Sequence, residues 1–194
     1  MMDLHTSLAV FLFGLPGSGK GTQAQRLAEK FGFSVWDMGA ILREERNRVL
    51  SDGKKIGDLI DHGILLTDEE LFEVIKLRIS SLNKDQRIIF DGVPRRAGQA
   101  EFLLAELRNR GFSNFAAVFI DISDEEAVQR LVLRGPKEHR KDDTAEAIQI
   151  RLRQADALME SLRAYLENHV PVYRIDGRPS VSEVGAAIEK ALNL

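Results

Sequence analysis

The sequence predicts an α/β fold, in which helices cover both faces of a parallel β-sheet. Short, continuous apolar runs alternate along the chain with stretches whose apolar residues recur at helical spacing. Continuous apolar runs are typical of strands that are buried on both sides, and such strands occur in parallel sheets. A length of 194 residues with 44% hydrophobic residues is sufficient for one sizeable domain with its own core.

Five strands are expected. Three are strongly apolar, at residues 7–13 (SLAVFLF), 87–92 (RIIFDG) and 115–121 (FAAVFID), and two are weaker, at residues 33–37 (FSVWD) and 172–176 (VYRID). Helical patterns fill the connections, at residues 20–31, 71–82, 99–110, 125–133, 142–166 and 181–192. Strands that alternate with helices predict parallel pairing through right-handed crossovers.

Two regions interrupt this alternation. Residues 37–66 are polar and helical, with no strand of their own, and residues 134–141 (RGPKEHRK) form a short cationic loop between two helices. The chain contains no repeat, no low-complexity tract and no linker between independent domains. We therefore expect a single domain, 1–194, with two insertions.

Composition excludes several classes of function. The 27 Lys and Arg residues against 30 Asp and Glu give a net charge of −3, which argues against a general binder of nucleic acid or of membrane surfaces. The absence of cysteine excludes disulfides and thiolate zinc sites, and the four histidines lack metal-ligand spacing.

The first residues do not resemble a signal peptide, and no apolar run is long enough to span a bilayer. We expect a cytoplasmic protein and, because no surface-facing apolar stripe is evident, a monomer.

The stretch GLPGSGKGTQ, which begins at Gly14, lies between the first strand and the first helix. Gly14, Gly19 and Lys20 have the spacing of a phosphate-binding loop, whose backbone N–H groups and helix N-terminus bind an anion. The usual pattern continues with Ser or Thr, but here Gly21 follows the lysine and the hydroxyl comes one position later, at Thr22. The sequence thus predicts the P-loop NTPase form of a three-layer α/β fold.

A carboxylate and a set of arginines could complete a phosphate site. Asp91 closes the apolar run IIF, and an acid at the carboxyl end of a strand beside the loop can hold Mg²⁺ or its waters, although Asp before Gly is also a common turn former. Several arginines follow strands or flank the cationic loop, namely Arg95, Arg96, Arg130, Arg134, Arg140 and Arg151. Bidentate cationic donors suit phosphoryl transfer, in which negative charge spreads over several oxygens.

On these motifs the sequence resembles the adenylate kinase family of nucleoside monophosphate kinases, from about residue 8 to residue 192. The motifs are GLPGSGKGTQA, GAILREE, DGVPRRAGQAEFL, RKDD followed eight residues on by RL, and VYRIDGRPSVSEV. The family's own loop carries Gly and then Thr after the lysine, so Gly21 and Thr22 agree with it. The resemblance implies reversible transfer of the γ-phosphoryl group of MgATP to AMP, which gives two ADP.

The resemblance also implies roles for individual residues. ATP would contact Gly17, Ser18, Gly19, Lys20, Gly21, Thr22, Arg130, Arg134 and Arg178. AMP would contact Met38, Arg43, Ile64, Leu65, Leu66, Gly92, Val93, Pro94, Arg95, Gln99, Arg140 and Arg151. The transferred group would be surrounded by Lys20, Arg95, Arg134, Arg140 and Arg151, and Mg²⁺ would lie near Thr22 and Asp91, held through water. Residues 37–66 would form the nucleoside monophosphate (NMP)-binding insertion, and residues 134–141 a short lid without zinc.

Three positions depart from the family's usual residues. Three alternative functions are also considered. Met38 replaces a threonine that faces the acceptor nucleoside, Ala40 replaces an acid near the metal waters, and Val93 replaces a phenylalanine. A kinase of the same fold for CMP or UMP is one alternative, although Gln99 favours adenine. A nucleotide-binding module without turnover is another. A GTPase switch is rejected, because NKDQ at Asn83 lacks the final Asp of a guanine motif.

Overall fold

The computed structural model describes residues 7–82, 85–138 and 158–194, without the side chains of residue 77 and residues 134–138. Five parallel strands form one sheet in the order β2-β3-β1-β4-β5. The strands are β1 (Leu8–Phe13), β2 (Ser34–Asp37), β3 (Arg87–Asp91), β4 (Phe115–Asp121) and β5 (Val172–Asp176). The predicted five-stranded parallel sheet is confirmed.

Eight helices surround the sheet in the described ranges. They are α1 (Lys20–Phe31), α2 (Met38–Glu44), α3 (Ile56–Asp61), α4 (Asp68–Ser80), α5 (Ala97–Asn109), α6 (Asp124–Glu138), α7 (residues 158–167) and α8 (Val181–Ala191). Two of them start with reciprocal capping boxes, Thr67 with Glu70 on α4 and Ser180 with Glu183 on α8. Within the described ranges, no helix combines the length and apolar character needed to cross a membrane.

The sheet separates two apolar cores, which confirms the three-layer arrangement. On one face, helices α2 to α5 and α7 pack on the stacked rings of Phe11, Phe13, Phe90 and Phe119, whose neighbouring centroids lie 4.7 to 6.5 Å apart. Trp36 joins this core, with its ring edge-on to Phe90 at 5.2 Å. On the other face, α1 and α8 pack on the alternate residues of the central strands. All six residues of β1 are buried, as its unbroken apolar sequence predicts.

Residues 37–66 have the helical structure that the sequence predicts, whereas the start of the predicted lid is helical and not a loop. Residues 37–66 start at the last residue of β2 and then contain α2, α3 and an isolated antiparallel bridge between Val49 and Lys55, without a further strand. Helix α6, which the sequence predicts to end at Leu133, continues to Glu138 and therefore includes residues 134–138 of the predicted lid loop. Gly135 and Pro136 therefore lie in the last turn of α6, although both residue types disfavour a helix interior, and the described contacts do not explain this continuation. Residues 139–141 of the predicted lid lie outside the described residues.

Candidate functional site

The turn between β1 and α1 is packed so closely that side chains are excluded at two of its glycines. Gly14 and Gly17 have φ angles of 143° and 87°. A Cβ atom at Gly14 would lie 2.4 Å from the carbonyl oxygen of Ile120, and one at Gly17 would lie 2.9 Å from that of Ala127. The third glycine, Gly19, precedes α1 in a left-handed conformation and supplies no capping side chain. The first N–H groups of α1 are therefore available to an anion.

Lys20 extends back over this turn. Its Nζ atom donates hydrogen bonds to the carbonyl oxygens of Gly14, at 2.9 Å, and Leu15, at 3.0 Å. Beneath the turn, Ser18 is only 2% exposed, and its Oγ has no hydrogen-bond partner among the described residues. The positive charge of Lys20 is thus positioned beside the helix N-terminus before any ligand binds.

Two carboxylates lie side by side at the carboxyl ends of neighbouring strands. Asp91 ends β3, and Asp37 ends β2 at the paired position of the parallel register. A Cβ atom at Gly21 would lie 3.5 Å from Oδ2 of Asp91, so the carboxylate faces the first turn of α1. Asp37 Oδ1 also accepts a hydrogen bond from the backbone N–H of Ala40, at 2.9 Å. Asp37 was not among the predicted site residues, although it closes a strand as Asp91 does.

A second group of polar side chains lies on the other side of the turn. Arg43 Nη2 is 3.9 Å from Oδ2 of Asp37. The Nε atom of Arg95 donates to the carbonyl oxygen of Gly92 at 2.9 Å. Gln99 is 3% exposed and accepts a 2.7 Å hydrogen bond from the backbone N–H of Arg95. These residues come from α2, from the loop after β3 and from α5, which meet where the strands end, the usual ligand position in an open α/β sheet.

One cleft of about 830 Å³ connects the glycine turn with Arg43, Arg95 and Gln99. It is lined by many of the predicted site residues, namely Gly17, Gly19, Lys20, Gly21, Thr22, Met38, Arg43, Ile64, Leu65, Leu66, Asp91, Gly92, Arg95, Gln99 and Arg130. A chain of net charge −3 therefore concentrates several cations in one cavity. Arg130 is held there by Glu126, whose Oε1 accepts a hydrogen bond from its Nε at 2.6 Å.

Some predicted residues lie elsewhere. Arg178 does not line the cleft. Its Nε and Nη2 donate to the two carboxylate oxygens of Asp176 at 2.9 and 2.8 Å, although the adjacent residues 179–181 do line it. Val93 is 1% exposed, and Pro94 lines a smaller adjoining cavity of about 90 Å³. The side chain of Arg134, and the whole of Arg140 and Arg151, lie outside the described residues.

Comparison with known proteins shows the family of this chain. Residues 12–170 match the family model described as adenylate kinase. An adenylate kinase of Thermus thermophilus is 36% identical over 186 residues, which cover 96% of this chain and 97% of that protein. Those of Phocaeicola vulgatus and Maricaulis maris are 35% and 36% identical, over 94% of this chain and 99% and 97% of theirs. The chain, with its glycine turn and cationic cleft, belongs to the adenylate kinase family of phosphotransferase enzymes.

Proposed function

We propose that the protein transfers the γ-phosphoryl group of MgATP reversibly to AMP and so forms two ADP. The observation that carries this proposal is the single cleft, which has a phosphate-binding turn at one side and a second set of cations with Gln99 at the other. The ATP phosphates would bind the N-terminus of α1 and Lys20, as anions bind helix N-termini. The AMP phosphate would bind Arg43 and Arg95.

Phosphoryl transfer requires positioning and charge stabilisation more than a chemical base. The transferred group passes between two oxygens in line while its negative charge is spread over three others. Lys20 and Arg95 both line the cleft, so each can reach a group that lies between the two nucleotides. We assign the same role to Arg134, Arg140 and Arg151. Arg130 and Arg178 would contact ATP, and Gly17 to Thr22 would bind its phosphates.

The residues near Asp91 suit a magnesium ion. Mg²⁺ usually keeps several waters and is bound through one or two carboxylates together with nucleotide phosphates. Oδ2 of Asp91 faces Gly21, which has no side chain to stand between the carboxylate and the first turn of α1. Asp91 would hold the ion through water, with the Thr22 hydroxyl on the same side. When bound, Mg²⁺ neutralises part of the phosphate charge.

The acceptor would bind between residues 37–66 and α5. Met38, Arg43 and residues 64–66 line the cleft opposite Gln99, which supports an NMP-binding role for this insertion. Residues 92–95 would continue the same site. Closure of this insertion and of the lid at 134–141 would exclude water from the reacting phosphoryl group, as lid closure is known to do in adenylate kinase. All of these residues belong to one chain, so we infer that a monomer acts. The absence of cysteine fits a reducing compartment, and we infer that the protein acts in the cytoplasm.

A panel of acceptors tests this function. The protein is incubated with MgATP and separately with AMP, CMP, UMP or GMP, and the diphosphates are quantified by ion-exchange chromatography. We expect ADP formation that depends on AMP and is abolished by EDTA. Preferential use of CMP or UMP would show a pyrimidine nucleotide kinase of the same fold. Failure to form a diphosphate from any acceptor, although ATP binds, would show a nucleotide-binding module without turnover.

A further inference from the structure

The side-chain amide of Gln99 is anchored at both of its ends. Its Oε1 accepts from the backbone N–H of Arg95 at 2.7 Å, and its Nε2 donates to Oδ1 of Asp68 at 2.9 Å. A backbone N–H can only donate, and an ionised carboxylate can only accept. The two partners therefore allow one of the two amide orientations and oppose the flipped one.

Asp68 is itself held in place by neighbouring elements. Arg96 Nη1 donates to Oδ1 of Asp68 at 3.1 Å and to the carbonyl oxygen of Leu66 at 2.9 Å. On the other side, a Cβ atom at Gly98 would lie 2.9 Å from Oδ2 of Asp68, so α5 accommodates the carboxylate because residue 98 has no side chain. The carboxylate at the start of α4 thus links the wall of the cleft to Gln99.

The fixed amide has a defined preference among purine bases. Beyond these two hydrogen bonds, the Gln99 amide can still donate through one N–H of Nε2 and accept through one lone pair of Oε1. The nitrogen stays on the side of Asp68 and the oxygen on the side of Arg95. Adenine presents a ring acceptor beside an amino donor, whereas hypoxanthine presents a ring N–H beside a keto oxygen. An unanchored glutamine could serve either base by rotating through 180°. Here, rotation would set the amide N–H against a donor and the amide oxygen against a carboxylate.

We propose that Asp68 is a specificity-determining positioning residue, which fixes the Gln99 amide so that the cleft accepts a 6-amino purine and rejects a 6-oxo purine. This inference rests on the proposed function, because it assumes that Gln99 contacts the acceptor base. Asp68 acts only through Gln99 and does not touch the substrate. Leaving a buried polar group unpaired costs more than a lost attraction, so the arrangement rejects the wrong base strongly.

The test compares AMP with IMP, since the two nucleotides have the same shape and differ in hydrogen bonding at positions 1 and 6. Both kcat/KM and the dissociation constant from calorimetry are measured for each acceptor. Asp68→Asn can donate as well as accept, so we expect the AMP-to-IMP preference to fall about tenfold or more while KM for ATP stays unchanged. The matched control is Glu69→Gln, which removes a charge from the next, exposed residue of the same helical turn and should leave the preference as it is.

A second variant, Gly98→Ala, keeps the proposal testable if Asp68→Asn does not fold. Gly98→Ala adds a methyl group against Oδ2 of Asp68 while improving helix propensity, so it should fold and still reduce the preference. It decides the question if Asp68→Asn does not fold. An unchanged AMP-to-IMP ratio, an equal loss for both acceptors, or a wild-type protein that binds IMP as well as AMP would overturn the proposal. Because calorimetry reports binding without turnover, the absence of diphosphate formation would contradict the proposed function separately.

Discussion

The Nζ atom of Lys20 lies 2.9 Å from the carbonyl oxygen of Gly14, so the lysine that ends the glycine turn donates to the residue that begins it. A second hydrogen bond, to Leu15 at 3.0 Å, holds the amino group over the turn. A bound phosphate would replace neutral carbonyl acceptors with charged oxygens, so that both the donor and the acceptor of each hydrogen bond are ionised. The cation is thus placed near the reacting group in advance, which lowers the reorganisation needed during transfer.

Replacing this lysine should abolish catalysis without unfolding the protein. We expect Lys20→Met to lower turnover by about 10³-fold or more, because it removes a cation that stabilises charge developing in the transition state. Initial rates of ADP formation at saturating MgATP and AMP measure the effect. Lys76→Met, which removes an exposed lysine on α4, serves as the control and should keep the wild-type rate. Near-normal turnover in Lys20→Met would show that Lys20 is not the phosphate lysine.

Alanine substitutions at Gly17 and Gly53 distinguish two contributions to stability, the cost of a left-handed backbone angle and the cost of close packing. Gly17 and Gly53 both have φ of 87°, but a Cβ at Gly17 would lie 2.9 Å from the carbonyl oxygen of Ala127. A Cβ at Gly53 would have no atom of the described residues within 4 Å, apart from its chain neighbours. We expect Gly53→Ala to lower the free energy of unfolding by about 1 kcal/mol, the cost of a left-handed alanine. Gly17→Ala should cost about 2 kcal/mol more, because backbone must move.

Urea denaturation and ATP calorimetry measure the two glycine variants together. Gly17→Ala should also weaken ATP binding, since the displaced turn carries the N-terminus of α1, whereas Gly53→Ala should not. Equal losses of stability in the two variants would mean that the turn is less tightly packed than the structure indicates.

Asp176 provides a prediction about pH. Hydrogen bonds from the side chain and backbone of Arg178 lower the pKa of Asp176 from 3.8 to about 2. Because the pKa is depressed in the folded state, the pair stabilises the fold fully above about pH 4, and this contribution is lost as the pH falls towards 2. A carboxyl NMR titration should give a pKa near 2 in the wild type and, in Arg178→Met, a value raised towards 3.8.

Arg174 supplies the control for that titration, since it lies on the same strand as Asp176 but donates to Asp121 at 2.7 Å. Arg174→Met should leave the pKa of Asp176 low. A pKa near 3.8 in the wild-type protein would show that Arg178 is free to leave Asp176, for example to contact a nucleotide.

The sheet and the phosphate-binding turn were predictable because local sequence determines them. β1, β3 and β4 are buried on both faces and read as unbroken apolar runs, and the turn depends on residues that are adjacent in the chain. Strand β5 gave a weaker signal because four of its five residues are only partly buried or exposed. Helix α4 starts three residues before the predicted Leu71, because its capping box, Thr67 with Glu70, precedes the apolar periodicity.

The contacts that join distant segments could not be predicted in the same way. Asp37 and Asp91 become neighbours through strand register, and Asp68 reaches Gln99 across 31 positions. The pairing of Arg178 with Asp176 is local, but an arginine near the end of a strand can equally turn to solvent, an acid or a ligand. Only the folded arrangement distinguishes these outcomes.

The central claim is that the cleft binds two nucleotides at once, with their phosphates meeting beside Lys20. Calorimetry with a dinucleotide in which five phosphates join two adenosines tests it most directly. We expect one dinucleotide molecule to bind per chain, with an affinity at least about 10²-fold above that for ATP because two sites are linked. AMP should no longer bind to the protein once the dinucleotide saturates it. Affinity equal to that for ATP, or AMP that still binds beside the dinucleotide, would contradict it.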